Sequence, residues 1–310
     1  MTIRHLVTHS GGFHADELLS SVILTRLFPD ATLLRTLDPA WTTPDATRLV
    51  YDVGRHYDPD LGIFDHHQRP GPLRSDGAPY SSFGLVWHHY GHAYLAALDV
   101  PDAHADRIHC ALDGAFVRPV DLLDNGALEP GAAGPLSKLT LPVLLESLKP
   151  TFDARSPEAE DRAFAQALSV ARTLFEAAIA AEAARVRAEA LVGDAIARAG
   201  SAPILELPVG MPFRAAIEAA GADHLLFVVH PRDGDWAVNT IRKAADTFAA
   251  RADLPDAWAG LTDEALETAT GVRGARFCHS GRFLAIAQTR DAAFALAERA
   301  VAAHRARGAE

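Results

Sequence analysis

The chain concentrates its reactive side chains in a few short stretches. His9-Ser10-Gly11-Gly12-Phe13-His14-Ala15-Asp16-Glu17 holds two imidazoles and two carboxylates within nine residues. Asp52 follows the apolar run Leu49-Val50-Tyr51, Asp65-His66-His67-Gln68 follows Ile63-Phe64, and Asp121 and Asp124 lie further on. His9, His14, Asp16, Asp52, His66 and a carboxylate from Asp121 or Asp124 are the candidate metal ligands. Imidazole and carboxylate donors without thiolates suit Mn²⁺ or a similar borderline-hard divalent ion, with Mg²⁺ or Zn²⁺ as alternatives. Six ligands are enough for two ions sharing one carboxylate, and Asp52, from the middle of the set, is the candidate bridge. Two metals roughly 3.5–4 Å apart lower the pKa of a shared water and clamp the oxygens of a phosphoryl displacement, so the favoured chemistry is phosphoester hydrolysis. In an extended segment His67 points away from its neighbour His66. His67 is therefore placed to bond a phosphate oxygen or protonate a leaving group, and Asp65 to orient a histidine beside it.

These residues need elements to hold them. Ile3–Thr8, Ala31–Thr36, Arg48–Val53 and Leu61–Phe64 read as strands, and Leu18, Val22, Ile23 and Leu27 recur at helical spacing after the first. The strand–helix–strand order predicts an α/β fold with a parallel sheet. His9, Asp52 and Asp65 each fall just past a strand, on the carboxyl rim where open α/β sheets bind ligands. Gly11-Gly12 lets the first turn bend sharply. Residues 69–80 read as a Pro- and Gly-rich loop over the site, Ser81 or Ser82 as a helix cap, and 103–124 as a helix stopped at Asn125-Gly126.

The 310 residues predict two domains. We place a metal-binding catalytic domain at 1–150, a long connecting helix at 151–200 opened by Ser156-Pro157-Glu158, and a smaller α/β domain at 201–310 with two hairpins and a last helix from Thr289. Helices are expected on both faces of the N-terminal sheet. Eleven of the fifteen histidines lie within residues 5–109, so the chemistry belongs to the N-terminal third.

Composition narrows the classes. A net charge of −11 opposes broad binding of duplex nucleic acid, while leaving a small or single-stranded phosphate substrate open. No apolar run nears the ~18 residues of a membrane span, and no signal peptide is recognisable. Cys110 and Cys278 lack CxxC spacing, which argues for free thiols in a cytoplasmic protein. His88, His89 and His92 have helical spacing that can hold zinc but no matching carboxylates, and read as one helix face. Two other functions use the same residues: a zinc-dependent amide hydrolase or deacetylase, needing one metal and a carboxylate base, and a non-catalytic, metal-stabilised binding protein.

Asp65-His66-His67 resembles the motif that names the DHH phosphoesterase superfamily, and His9…Asp16, Asp52 and Asp124-Asn125-Gly126 resemble its other motifs in their usual order. THSGGFHADE, YDVGRHYDP, FDHHQ, YSSFGLVW, VDLLDNG, DLPDAWAGL and FCHSGRF…TRDAA together resemble the melanocyte-proliferating-gene family of metal-dependent hydrolases, over nearly the whole chain. The superfamily resemblance implies two Mn²⁺ ions, an N-terminal catalytic domain and a C-terminal domain that closes over substrate. The family resemblance implies a 3′–5′ exonuclease on RNA or short oligonucleotides. His14 stands where many superfamily members have aspartate, and Phe283-Leu284-Ala285-Ile286-Ala287 occupies a region where glycines are expected. Arg242, His279 and Arg290 are the candidate phosphate contacts, and a homodimer is compatible with this reading.

Overall fold

The structure, a computed structural model, describes residues 2–307. It divides into two compact units, the first running to Ala183 and the second from Ala184.

In the first unit, strands β1 (His5–Thr8), β2 (Thr32–Arg35), β3 (Arg48–Tyr51), β4 (Tyr57–Asp58) and β5 (Ile63–Phe64) form one sheet in the order β2-β1-β3-β5-β4. The first four positions are parallel, and only the edge strand β4 runs antiparallel. Helix α1 (Ala15–Leu27) connects β1 to β2, and every residue from Ala15 to Leu24 is buried. Fully burying each of Leu18, Leu19, Val22, Ile23 and Leu24 contributes roughly 1.5–3 kcal/mol. Its serines are buried too, with Ser21 Oγ donating to Glu17 O at 2.7 Å and meeting the Tyr51 hydroxyl at 2.6 Å. Such a central helix cannot shift without breaking the core, so its N-terminal residues are rigidly held.

A one-turn helix α2 (Pro39–Thr42) follows β2. Helix α3 (Ser82–Ala96) packs on α1, and Ser82 Oγ ties it to the sheet by donating to Phe64 O at 2.8 Å. Helices α4 (Asp102–Leu112) and α5 (Arg118–Asp124) are joined by a π-helical turn at Asp113–Val117, so the helix expected over 103–124 carries a widened turn. The stretch expected as loop after 129 holds a 3₁₀ segment, Pro130–Leu139, and the short α6 (Leu141–Glu146). Pro142 sits in the first turn of α6, where a missing N–H costs nothing, while Pro135 lies inside the 3₁₀ segment directly after Gly134, whose φ of +55° kinks it.

Helix α7 (Pro157–Ala199) starts as its sequence dictates: Ser156 Oγ accepts from Ala159 N at 3.1 Å, and Glu158 and Glu160 lie at the positive end of the dipole. It is shared between the two units, which divide at 183/184 within it.

The second unit is a sheet in the order β6-β7-β8-β10-β9, built from β6 (Ile204–Glu206), β7 (Phe227–Arg232), β8 (Asp235–Thr240), β9 (Ala275–Cys278) and β10 (Leu284–Ala287). Apart from the parallel β6–β7 pair it is antiparallel. The β7–β8 hairpin turns at Asp233 and Gly234, both with positive φ, as a two-residue primed turn needs. Strand alternation separates two cores. Phe227 and Val229 join Leu296, Ala297 and Val301 of α10 (Arg290–Arg307), while Val228 joins Phe213, Ile217 of α8 (Arg214–Ala219) and Val192. A helix not anticipated from sequence, α9 (Asp263–Thr270), ends at Gly271 in the left-handed region. Among the described residues no helix is long and apolar enough to cross a membrane.

Candidate metal centre

The carboxyl ends of β1, β3 and β5 lie side by side, because β1 pairs with β3 and β3 with β5. His9, Asp52 and Asp65-His66-His67 therefore emerge on one rim, and the N-terminus of α1 brings His14, Asp16 and Glu17 to it. Gly11, at φ +90°, allows the turn between them, a conformation L side chains rarely adopt. Glu17 fixes the helix start by accepting from His14 N at 2.8 and 2.9 Å. Asp52 itself has φ +55°, uncommon for a residue other than glycine, which aims its carboxylate off the strand end.

Asp52 stands between two imidazoles. Its Oδ2 lies 3.2 Å from His9 Nε2, and its Oδ1 lies 3.3 Å from His66 Nε2. His66 Nε2 is also 3.3 Å from Asp124 Oδ2 and 3.8 Å from Asp16 Oδ2, and His9 Nε2 is 3.2 Å from Glu17 Oε1. Ligand atoms converge within 4.8 Å in four overlapping sets: Asp52, Asp65, His66 and His67; His9, His14 and Glu17; His14, Asp16 and Asp124; Asp16, Glu17 and Asp52. Both oxygens of Asp16, Oδ1 of Asp52 and Nε2 of His66 are buried without a hydrogen-bond partner. Buried polar atoms left this way are costly unless something else binds them. Their convergence with unpaired carboxylates fits a divalent cation.

The electrostatics agree. Burial and the charges of Asp52, Asp124 and Glu17 push Asp16 well above the usual carboxylate range, and burial, with the charge of Asp52, raises Asp124. Burial by itself would raise Asp52, but the adjacent imidazoles of His66 and His9 bring it down to about 2. Burial likewise works against charge on His9 and His66, yet Asp52 and the other carboxylates raise them to about 10 and about 9. The site thus has an excess of negative charge that protons partly neutralise, the task a cation performs.

His67 is half-exposed within this set, and its ring lies 4.3 Å from that of His66 rather than on the opposite face. Asp65 Oδ1 accepts from His67 Nδ1 at 2.7 Å and from His66 N at 2.7 Å, and the first of these bonds raises the His67 pKa. Asn125 Oδ1 lies 3.3 Å from His66 Nδ1. The centre opens into a cavity of about 1010 Å³, whose lining includes His9, His14, Asp52, His66, His67, Asp124, Arg55, Arg69 and Tyr80.

Of the residues anticipated from sequence, His9, His14, Asp16, Asp52, Asp65, His66, His67 and Asp124 come together here. Asp121 does not. Its carboxylate is fully buried and accepts from Arg74 Nη2 at 2.6 Å, Ser81 Oγ at 2.7 Å and Gly84 N at 3.0 Å. One turn of α5 separates Asp121 from Asp124, and the helix directs the first into a structural ion pair and the second to the candidate ligand cluster. In the second unit, Arg290 is held by Glu206 in a two-pronged pair, Nε–Oε1 and Nη2–Oε2 both 2.6 Å, so its guanidinium is already engaged rather than open to phosphate. His279 accepts at Nδ1 from Gly281 N at 2.9 Å, and Arg242 lies over the Phe248 ring at 4.8 Å. Glu17 and Asn125 were not among the anticipated site residues. Glu17 falls in the same nine-residue stretch, and its reciprocal spacing to the helix cap at His14 is the signal that finds it.

A protein family described as "Uncharacterised protein family (UPF0160)", whose short name is MYG1 exonuclease, matches residues 5–301. The chain belongs to this family. It is 32% identical to the MYG1 exonuclease of Bos taurus over 95% of this chain and 84% of that protein. It is 29% identical to a MYG1 protein of Schizosaccharomyces pombe over 96% of this chain and 97% of that one. A crystal structure of exonuclease RecJ bound to manganese aligns over 97% of this chain and 90% of that chain at 16% identity, with a TM-score of 0.27, too distant a likeness to bear on the site. Family membership makes the chain a hydrolase of the nuclease type, and the convergent acidic and imidazole groups give it a place for metal.

Proposed function

We propose that the chain is a two-metal phosphodiesterase that removes mononucleotides from the 3′ end of RNA or short oligonucleotides, with Mn²⁺ as the working ion and a reducing cytoplasm as its setting. The observation that carries this is Asp52, whose two oxygens each face a different imidazole, His9 and His66, at 3.2 and 3.3 Å. A carboxylate presented to two donor sets in this way would serve two ions rather than one. His9, His14 and Glu17 would hold one ion, and His66 with Asp124 and Asp16 the other.

When bound, two divalent cations acidify water and neutralise charge on a phosphoryl group. The rest falls to the chain. Asp65 accepts from His67 Nδ1, which raises the imidazole pKa and favours its protonated form, with Nε2 as the nitrogen that would donate to the leaving oxygen. Asp65 also accepts from the backbone of His66 and Arg55, which ties the two strand ends into one geometry. Asn125 fixes the His66 ring through Nδ1, leaving Nε2 for the metal set.

The test is product analysis on end-labelled short RNA with added Mn²⁺. Mononucleotides released stepwise from the 3′ end, and lost in Asp52→Ala and His66→Ala, are expected. A single tightly bound zinc with turnover of amides but of no oligonucleotide would instead establish the amide-hydrolase alternative.

A further inference from the structure

We infer that the surface formed by Arg214, Arg242, Lys243 and Phe248 in the second unit is a docking site for single-stranded nucleic acid, separate from the residues of the metal centre. This deepens the proposed exonuclease function and rests on it.

Phe248 is 89% exposed, in a loop closed by the bridge between Arg242 and Ala250 and by the Lys243 N to Ala249 O bond of 2.9 Å. A phenylalanine that exposed gains nothing from the fold. It is not bare, because the Arg242 guanidinium lies 4.8 Å from its ring centroid. A second such pair stands beside it: Arg214 lies 5.3 Å from the Phe213 ring, and Phe213 packs in the same core cluster as Ile241, the neighbour of Arg242. The two guanidiniums are near enough for Arg242 to depress the pKa of Arg214, together with the larger effect of burial. Arg214, Arg242 and Lys243 make no ion pair among the described residues, and Asp246 is the one acid in the loop.

A protein of net charge −11 has acids to spare, yet among the described residues it pairs none of them with Arg214, Arg242 or Lys243 and sets the two arginines on aromatic rings. Beside Arg214 lies a cavity of about 210 Å³ lined by Pro212, Phe213, Ala215 and Ala216, with Arg185 and Glu189 at its edge. Cations that follow a phosphate backbone, next to an exposed aromatic face on which any base can stack, are the elements of sequence-tolerant single-strand binding. A protein partner would favour a wider apolar patch than one ring; duplex would need a broad basic face, which this chain lacks.

The experiment uses the full-length, Mn²⁺-loaded chain and a fluorescent 12-nucleotide 2′-O-methyl RNA that resists cleavage. Phe248→Ala is expected to weaken binding at least about fivefold, the low end for a lost base stack, and Phe248→Tyr to restore it to about twofold of the parent. Arg214→Gln with Arg242→Gln should lower the slope of log affinity against log salt by about 1.4, two phosphate contacts at about 0.7 each. A 4-thiouridine version should crosslink within residues 242–251. Crosslinks confined to other segments, or Phe248→Ala binding within about twofold of the parent, would overturn the inference. Binding here by a chain that cleaves no oligonucleotide would keep the surface and remove the exonuclease reading; cleavage without binding here would do the reverse.

Discussion

Arg74→Ala separates a structural aspartate from a candidate metal ligand a single helical turn away. Asp121 is fully buried, and the Arg74 side chain, 9% exposed, supplies its only charged partner among the described residues. Arg74 also bonds Asp113 at 2.5 Å and lies 4.3 Å from the Tyr80 ring centroid. Removing one partner of a buried pair costs about 3–5 kcal/mol, and the lost ring contact about 0.5–1 kcal/mol. Two effects limit the total. Ser81 and Gly84 continue to donate to Asp121, and the carboxyl can take up a proton, since burial raises it to about 6 even against Arg74 and Ser81. We therefore expect a loss of about 3–4 kcal/mol at pH 7.5.

The sign of the pH dependence follows. In the variant the folded pKa of Asp121 rises beyond its present value, so the native state holds a proton that the unfolded chain releases. Stability then falls as pH rises toward that higher pKa, by at most about 1.4 kcal/mol per unit. The penalty should accordingly be smaller at pH 5.5 than at pH 7.5. Native-state hydrogen exchange of α3 amides, followed by mass spectrometry, reads the loss within the first unit alone. Metal stoichiometry should stay at the parent value. A loss under about 1 kcal/mol, or lost metal with unchanged stability, would refute the assignment of Asp121 to structure.

Four further outcomes follow. Gly84→Ala should lower Tm, because a Cβ there would lie 2.0 Å from Asp121 Oδ2 and 2.7 Å from Tyr80 Cδ1, an overlap whose cost of about 1–3 kcal/mol or more exceeds the ~1 kcal/mol helix gain; a raised Tm would contradict the packing. Asp124→Asn should leave folding cooperative while reducing Mn²⁺ uptake, measured by calorimetry; full uptake would remove Asp124 from the site. His67→Gln should cut kcat by about 10²–10⁴ with metal content retained, as expected for a lost proton donor, and an unchanged kcat would end that role. In the metal-free chain His9 and His66, raised to about 10 and about 9, carry protons at pH 7 that a cation must displace. Affinity should therefore rise with pH up to that range, by up to about tenfold per unit for each proton released; calorimetry in buffers of different ionisation enthalpy counts those protons, and none released would contradict it.

Much of the first unit could be read from the chain. Apolar runs ending in His9, Asp52 and Asp65 fix where strands stop, and strand–helix order makes the sheet parallel, so the carboxyl rim and most of its ligands follow from local pattern. Ser156-Pro157-Glu158 likewise states where α7 begins. By contrast β4 is two residues long and α9 eight, too short for a periodic signal to rise above the surrounding turns.

What sequence could not resolve were choices between neighbours of the same chemical type. Asp121 and Asp124 are equal as residues three apart on a helix; the position of Arg74, 47 residues upstream, decides which is neutralised by the fold and which remains for a cation. Arg290 and Arg242 are both candidate phosphate contacts until Glu206 is found to engage the first and an exposed ring the second. Residue type and spacing determined which groups can bind metal, because that depends on donor chemistry. Only tertiary structure determined which are left unpartnered to do so, because pairing is set by what long-range packing brings within 3 Å.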